Sequence, residues 1–366
     1  MALTAAAGLA LLAVLLAFGN GANDVSKGIA TLVGSGVSDL RAAVAWGAAW
    51  TVAGGLIAAV ATQGLVAAFS GAGFLGHPLS GSAFLASVAA GAIAWVIFAS
   101  ATGLPVSTTH AIAGALAGAG VAAEGARALH WSFLANRIAL PLAISPVASV
   151  ALLYAVFPLL GRALARLDRY CVCVERRVAI EPSGAAAFST GAAVVAEVEE
   201  CAAAPSIAGR LGALDGLHWM LAACTSLARG VNDTPKILAL GVAAAAVWGI
   251  RGPAYYAAVA AGMGAGSVIA GRRVTETLAR KVTAMTAAEG FSANLVTTLL
   301  VGAASFAALP VSTTHVSSGA VIGIGLRRGR GAVRWKTVRD IVLAWIVTLP
   351  VAALAGAAAW KLLASR

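Results

Sequence analysis

Gly19-Asn20-Gly21-Ala22-Asn23-Asp24-Val25-Ser26-Lys27-Gly28 places one carboxylate, two side-chain amides and one ammonium group inside an otherwise apolar sequence. A variant returns later in the chain as Ala228-Arg229-Gly230-Val231-Asn232-Asp233-Thr234-Pro235-Lys236. Both copies contain the pattern Gly-x-Asn-Asp-x-x-Lys. One such motif can arise by chance, but its recurrence indicates a duplicated binding element.

The composition around these motifs is that of a membrane protein. Of 366 residues, 60% are hydrophobic and only 11% are charged, which is too little polar surface for a soluble globule of this size. Apolar runs recur at 82–104, 131–160, 253–271 and 338–363, each long enough to cross about 30 Å of hydrocarbon. The first run, from Ala2, lacks the basic region of a secretory signal and is predicted to be a retained span.

The net charge of +11 is also consistent with a membrane protein. Basic residues of membrane chains concentrate in cytoplasmic loops, so nucleic acid is not a predicted partner. The predicted fold is an all-α polytopic membrane protein in the cell membrane, and the lipid bilayer is its surrounding partner. A homodimer is compatible with this prediction, but no residue pattern specifies one.

The order of segments repeats. A first repeat, predicted at 1–160, has a broken helix at 3–34, a span at 40–68, a Gly-rich loop at 69–81, a helical hairpin at 82–121 and a span at 131–160. A polar segment at 161–210 follows. A second repeat, predicted at 211–366, has a broken segment at 211–249, a span at 253–271, a hairpin at 291–325 and a span at 338–363. The two hairpin tips are identical and read Pro105-Val106-Ser107-Thr108-Thr109-His110 and Pro310-Val311-Ser312-Thr313-Thr314-His315.

Loop charges predict that the two repeats have inverted topology. The loops flanking the second hairpin carry ten Lys and Arg residues and are predicted to be cytoplasmic, whereas the equivalent first loops carry only Arg127 and are predicted to lie outside. The segment 162–210, with six basic and six acidic residues, is then cytoplasmic, and both termini lie outside. Such repeats with broken helices and re-entrant hairpins are a common transporter plan, in which substrate and coupling ions bind near the midplane.

The paired carboxylates are the predicted cation sites. Asp24 and Asp233 each cost a few kcal/mol at the bilayer centre, so each needs a bound cation, a proton or a neighbouring Lys. Asn23 and Asn232 add amide oxygens, and a helix break adds backbone carbonyl oxygens. The alternative is that each Asn-Asp pair only caps a helix.

The hairpin tips are predicted to hold an anion. Proline suits the first turn of a helix, where free backbone N–H groups lie at the positive end of the helix dipole. The tips add hydroxyl donors from Ser107, Thr108, Thr109, Ser312, Thr313 and Thr314. Ser and Thr also commonly bond to carbonyl groups of their own helix, which is the alternative. His110 and His315 are predicted either to relay protons and bond the anion, or to pack within the hairpin.

Together these motifs resemble the inorganic phosphate transporter (PiT) family, over nearly the whole chain except 162–210. The resemblance implies inverted repeats, phosphate uptake driven by Na⁺ or H⁺, and an elevator-like or related alternating-access cycle. It implies that cation and phosphate are coordinated by Asn23, Asp24, Asn232 and Asp233, and that the hydroxyl groups of both tips hold phosphate. No cofactor is implied beyond Na⁺ as a coupling ion, which would bind at Asp24 and Asp233.

The chain departs from the family pattern at Lys27 and Lys236, where the family usually has asparagine. On a helix each Lys lies three residues from its Asp, close enough to face it. Our hypothesis is that the two ammonium groups offset the carboxylates, attract the anion and replace part of the work of sodium, which favours proton coupling. The alternative is that both side chains extend to a membrane interface.

Three other functions fit parts of the pattern. A carrier for sulfate or another tetrahedral oxyanion is the nearest alternative, because hydroxyl groups do not distinguish such ions by their number of bound protons. An intramembrane hydrolase would use Ser107 or Ser312 as nucleophile with His110 or His315. An enzyme needs only one nucleophile and one oxyanion hole, whereas these polar motifs are duplicated and inverted. The chain is therefore predicted not to be an enzyme. A passive anion channel is the third alternative.

Overall fold

The computed structural model describes residues 2–61, 72–75, 81–180, 186–203, 207–241, 253–307 and 311–365. The first half contains α1 (Ala2–Asp24), α2 (Ser26–Gly34), α3 (Leu40–Ala61), α4 (Ala72–Leu75), α5 (Ser82–Thr102), α6 (Thr108–Glu124), α7 (Trp131–Phe133) and α8 (Leu140–Leu167), with a 3-10 turn at Ala126–Ala128 and a π-helical segment at Leu134–Ala139. The central segment contains β1 (Tyr170–Ile180), β2 (Ala186–Glu197), α9 (Val198–Ala203) and β3 (Ile207–Gly212). The second half contains α10 (Ala213–Leu238), α11 (Pro253–Ala270), α12 (Arg272–Arg280), α13 (Ala287–Phe306), α14 (Thr313–Arg328), a 3-10 turn at Arg330–Ala332 and α15 (Trp335–Ala364).

The helical membrane class is confirmed. Within the described residues, six helices are long and apolar enough to cross a membrane, or up to seven if α11 and α12, which meet at a bend of 67°, form one span. The predicted span at 40–68 corresponds to α3 as far as Ala61, and its remainder lies outside the described residues, as does most of the Gly-rich loop at 69–81.

The two motif-bearing segments differ in their backbone. In the first, the helix continues through Gly19–Asp24, and Val25 between α1 and α2 keeps helical backbone angles, with its N–H bonded to the carbonyl oxygen of Gly21 at 3.2 Å. The break predicted at this motif is therefore only a local irregularity in one span of 28 residues, Ala7–Gly34. In the second, α10 runs without interruption through Asn232 and Asp233 to Leu238, so the segment predicted to be broken within 211–249 is not broken at its motif. Residues 242–249 of that segment lie outside the described residues. Pro235 removes one N–H donor without ending this helix, an arrangement that membrane helices tolerate where neighbouring helices pack around them.

The two predicted hairpins are present. Helices α5 and α6 pack against each other, as do α13 and α14. In the first hairpin, α5 ends at Thr102 and is capped by Gly103, whose φ of 77° is a left-handed conformation that favours glycine. A short non-helical segment then leads to α6. Pro105 lies in this segment, two residues before the N-cap Ser107, so the expectation that proline begins the helix is wrong. Pro310 lies outside the described residues.

Packing is reciprocal between the halves. The last helix of the second half, α15, packs on the first hairpin, and the last helix of the first half, α8, packs on the second. Helix α1 likewise packs on α11, and α3 packs on α10. Glycines allow these close crossings: a Cβ atom on Gly21 would lie 1.9 Å from the carbonyl oxygen of Met263, and one on Gly118 would lie 1.9 Å from that of Ala353. Tight helix crossings therefore surround the motifs.

The central segment contains a sheet that the sequence analysis does not anticipate. Strand β1 pairs antiparallel with both β2 and β3, giving the order β2-β1-β3. Val172, Val174 and Val178 supply alternate β-branched residues in β1, but this short signal lies among charges that dominate the composition. The all-α prediction therefore holds for the membrane helices, and a small sheet is added beside them.

Candidate functional site

Asn20 connects the two motif copies. Its Nδ2 atom lies 2.9 Å from Oδ2 of Asp24 and 3.3 Å from Oδ2 of Asp233, and 3.1 Å from Oγ1 of Thr108 in the first tip. All of these side chains are buried. One amide group therefore lies within hydrogen-bonding distance of both carboxylates, which come from separate halves of the chain. In the sequence, Asn20 stands out only as part of the motif, with no predicted role of its own.

Lys27 is enclosed by oxygen atoms of the first motif. Its Nζ atom lies 2.7 Å from the backbone oxygen of Asn23, 2.7 Å from Oδ1 of Asn23 and 2.8 Å from Oδ1 of Asp24. The ammonium group is buried and forms an ion pair with the carboxylate. Extension of Lys27 to a membrane interface, the alternative interpretation, is therefore wrong.

Lys236 has a related position in the second motif but reaches across to the first hairpin. Its Nζ atom lies 3.3 Å from Oδ1 of Asp233, 3.2 Å from the backbone oxygen of Val311 and 3.0 Å from Oγ1 of Thr109. This side chain is also buried, so the interface alternative fails here as well. The second ammonium group thus joins its own motif to both hairpin tips.

The two asparagines of the Asn-Asp pairs position the tips. Asn23 donates to the backbone oxygen of Leu104 (3.0 Å) and accepts from the backbone N–H of Val106 (3.1 Å). Asn232 Nδ2 lies 3.0 Å from Oδ1 of Asp233 and 3.5 Å from the backbone oxygen of Val311. Each asparagine therefore contacts the tip of its own half, as the common order of motifs predicts.

The serines of the tips are helix caps. The Oγ atom of Ser107 accepts a hydrogen bond from the backbone N–H of His110, and Ser312 does the same for His315, both at 3.2 Å. An N-cap hydroxyl satisfies one of the free N–H groups of the first turn. The alternative interpretation, in which a hydroxyl group bonds within its own helix, therefore applies to these two serines.

The four threonines of the tips are buried where the hairpins meet. Thr108 bonds to Asn20, Thr109 accepts from Lys236, and Thr314 donates to the backbone oxygen of Val106 at 2.7 Å. Thr313 begins α14 and is buried beside them. All twelve predicted site residues are therefore buried at the junction of the motifs and tips: Asn23, Asp24, Lys27, Ser107, Thr108, Thr109, Asn232, Asp233, Lys236, Ser312, Thr313 and Thr314.

The two histidines pack behind the tips. The rings of His110 and His315 lie with centroids 4.7 Å apart, and the His315 ring lies 4.1 Å from that of Trp345. Nδ1 of His315 is 2.8 Å from the backbone oxygen of Leu142, so this nitrogen carries a hydrogen. The geometry favours the packing interpretation over a proton relay.

Arg229 is a further buried cation, for which the sequence predicts no role although it lies in the second motif. Its Nη1 atom donates to Oδ1 of Asn20 at 3.2 Å, and its Nη2 atom donates to the hydroxyl of Thr51. Its Nε atom has no hydrogen-bond partner among the described residues. A charged residue within an apolar helix is by itself a signal of function, and Arg229 is such a residue.

The chain is similar to several known proteins. The profile of the phosphate transporter family matches residues 20–356. The chain is 30% identical to inorganic phosphate transporter 2-1, chloroplastic, of Arabidopsis thaliana, covering 92% of this chain and 68% of that protein. It is 28% identical to the "probable low-affinity inorganic phosphate transporter" of Rhizobium meliloti, covering 96% and 94%. A solved structure titled the sodium-dependent phosphate transporter shares the fold, with a TM-score of 0.77, 22% identity and 99% coverage of both chains.

Proposed function

The chain belongs to the phosphate transporter family, and on that premise we propose that it is a secondary active transporter that imports inorganic phosphate across the cell membrane. The phosphate is held where the two tips and the two Asn-Asp pairs meet. The first-turn N–H groups of α6 and α14, the threonine hydroxyls and the nearby ammonium groups provide donors for a tetrahedral oxyanion. The inverted topology, with 162–210 in the cytoplasm and both termini outside, is part of this proposal.

The coupling ion in this proposal is the proton. The observation that carries it is the oxygen environment of Lys27, in which backbone, amide and carboxylate oxygens surround one Nζ atom at 2.7–2.8 Å. Carboxylate and carbonyl oxygens are also the ligands that small hard cations select. The ammonium group of Lys27 thus occupies an oxygen site of the kind that could bind a sodium ion. The ammonium group of Lys236 plays the same part beside Asp233.

The experiment is phosphate uptake into proteoliposomes of the purified chain, with the sodium gradient and the pH gradient imposed separately. Proton coupling predicts accumulation driven by an inward proton gradient in sodium-free medium, and little further gain when sodium is added. A strict requirement for sodium would refute the coupling proposal while leaving phosphate transport intact. Equilibration without accumulation under every gradient would instead identify a passive channel.

A carrier for sulfate is the second candidate, because the donors at the junction match any tetrahedral oxyanion. Hydroxyl, amide and ammonium groups bond to sulfate as well as to phosphate. Competition of labelled phosphate uptake by unlabelled arsenate and sulfate separates the two. Phosphate transport predicts strong competition by arsenate and weak competition by sulfate, and the reverse result would assign the sulfate function.

A further inference from the structure

A cavity of about 420 Å³ lies between α1, α5, α11 and α12, beside the junction of the tips. Its walls are mostly apolar and include Phe18, Ile97 and Ile269. Two basic residues, Arg272 and Arg273, line it where α12 begins, and both are exposed. Ala22 and Ser100 line its buried side. The cavity therefore joins a basic, exposed region to the interior of the protein.

The buried side of this cavity adjoins the candidate site. Oγ of Ser100 accepts a hydrogen bond from Nδ2 of Asn23 at 3.1 Å, and Ala22 precedes Asn23 in α1. Asn23 in turn bonds to the backbone of the first tip. A group that reaches the end of the cavity is thus one side chain away from the motif that contains Asp24.

At the exposed end of the cavity, Arg273 has N–H donors that form no hydrogen bond to any residue that the structure describes. Arg272 forms an ion pair with Glu276 at 2.9 Å, and its side chain is 75% exposed. Arg273 donates from Nη1 to the backbone oxygen of Ala101 at 2.5 Å and forms no ion pair with any residue that the structure describes. A guanidinium group has five N–H donors in a planar fork that suits phosphate oxygens, so most donors of Arg273 are available to a ligand.

We infer that Arg272 and Arg273 form a phosphate-group subsite at the cytoplasmic end of the transport path, through which the ion leaves the site near Asn23. This inference rests on the proposed function and on the predicted cytoplasmic location of these arginines. The volume accommodates a phosphate ion with several water molecules, each of which occupies about 30 Å³. An anionic lipid is a second source of the same phosphate chemistry, since the apolar cavity walls would also suit an acyl chain.

The test is phosphate exchange by the full chain in inside-out and right-side-out membrane vesicles, comparing wild type with Arg273→Gln. The control is Arg280→Gln, which removes an exposed arginine from the same helix without touching the cavity. For the free ion, we expect Arg273→Gln to raise the half-saturating phosphate concentration about threefold at the cytoplasmic face alone, the size of one exposed charge interaction.

Reconstitution in two lipids distinguishes the source of the phosphate group. If the subsite serves the free ion, the defect of Arg273→Gln persists in vesicles of phosphatidylcholine alone. If it serves a lipid headgroup, adding phosphatidylglycerol changes wild-type exchange and leaves Arg273→Gln unaffected. Identical behaviour of Arg273→Gln and Arg280→Gln in both lipids would overturn the subsite. Absence of phosphate exchange by wild type would instead refute the proposed function.

Discussion

The Nζ atom of Lys27 lies 2.7 Å from both the backbone oxygen and the Oδ1 atom of Asn23, on the turn of helix preceding it. With Oδ1 of Asp24 at 2.8 Å, three oxygens of different chemical kinds converge on one ammonium group. A buried carboxylate left without a partner costs several kcal/mol, so the lysine stabilises the folded state of the motif that it belongs to. It does so without an exchangeable ion.

Replacing Lys27 with asparagine, the residue usual in the family, is expected to make uptake sodium-dependent. Removal of one partner of a buried ion pair costs about 3–5 kcal/mol, and a sodium ion in the vacated oxygen site would restore part of it. We expect Lys27→Asn to lose most phosphate uptake in sodium-free medium and to regain a measurable part with added sodium. Uptake by proteoliposomes in matched sodium and choline media measures this.

Lys361→Asn is the control for this change, since Lys361 is exposed near the end of α15. It should keep wild-type uptake in both media. Full sodium-free uptake by Lys27→Asn would contradict a role for this ammonium group as a built-in cation.

Asn20→Asp is expected to abolish transport at neutral pH. The substitution places a third carboxylate within hydrogen-bonding distance of the carboxylates of Asp24 and Asp233, and it removes the amide donor that both share. Like charges at such distances repel strongly in a buried site. Initial rates of phosphate uptake, normalised to folded protein by size-exclusion chromatography, measure the effect. Wild-type rates would show that Asn20 does not link the two motifs in the working protein.

Arg229→Gln is expected to weaken phosphate binding about tenfold. The junction holds two carboxylates, Asp24 and Asp233, and three cations, Lys27, Lys236 and Arg229, so the side chains together carry one excess positive charge. An anion that enters the junction compensates this charge, and loss of one charged hydrogen-bond donor costs about 1.5–3 kcal/mol. The half-saturating concentration of uptake, measured beside Arg229→Lys, tests the assignment.

Arg229→Lys retains the charge but has one ammonium group where the guanidinium contacts both Asn20 and Thr51. We therefore expect its half-saturating concentration to lie between wild type and Arg229→Gln. If both variants match wild type while remaining folded, Arg229 has a structural role only.

The sequence predicts the parts of this site that are repeated, and it misses those that occur once. Asp24 and Asp233 stand out because a motif and its copy share their spacing, and the tips stand out because six residues recur. Asn20 has no counterpart in the second motif, where the same position holds Arg229. The contact between these two residues joins the halves, and repetition within one chain gives no signal for a pair that differs between copies.

The positions at which helices end or continue are also hard to predict from the sequence. Helix ends inside a membrane protein depend on packing from neighbouring helices more than on local residues. Val25 separates α1 from α2 although it keeps a helical conformation, whereas Pro235 is accommodated within α10. The sequence does not predict the strands of the central segment, because charged residues there obscure the alternation of β-branched residues.

The crossing of α1 and α11 predicts a sharp difference between two glycines of the same helix. A Cβ atom on Gly21 would lie 1.9 Å from the carbonyl oxygen of Met263, whereas one on Gly8 would have no neighbour within 4 Å. Backbone cannot yield as a flexible side chain can, so Gly21→Ala must separate the helices. We expect a loss of about 1–3 kcal/mol in stability and a lower thermal midpoint in detergent.

Gly8→Ala should leave the midpoint unchanged or raise it, because alanine favours a helix over glycine by about 1 kcal/mol. Gly21 also lies next to Asn20, so separating α1 from α11 displaces the amide that joins the carboxylates. Phosphate uptake by Gly21→Ala should therefore fall at temperatures well below its midpoint, where the protein is still folded. Equal midpoints and equal uptake for the two variants would show that α1 and α11 do not approach as closely as this crossing requires.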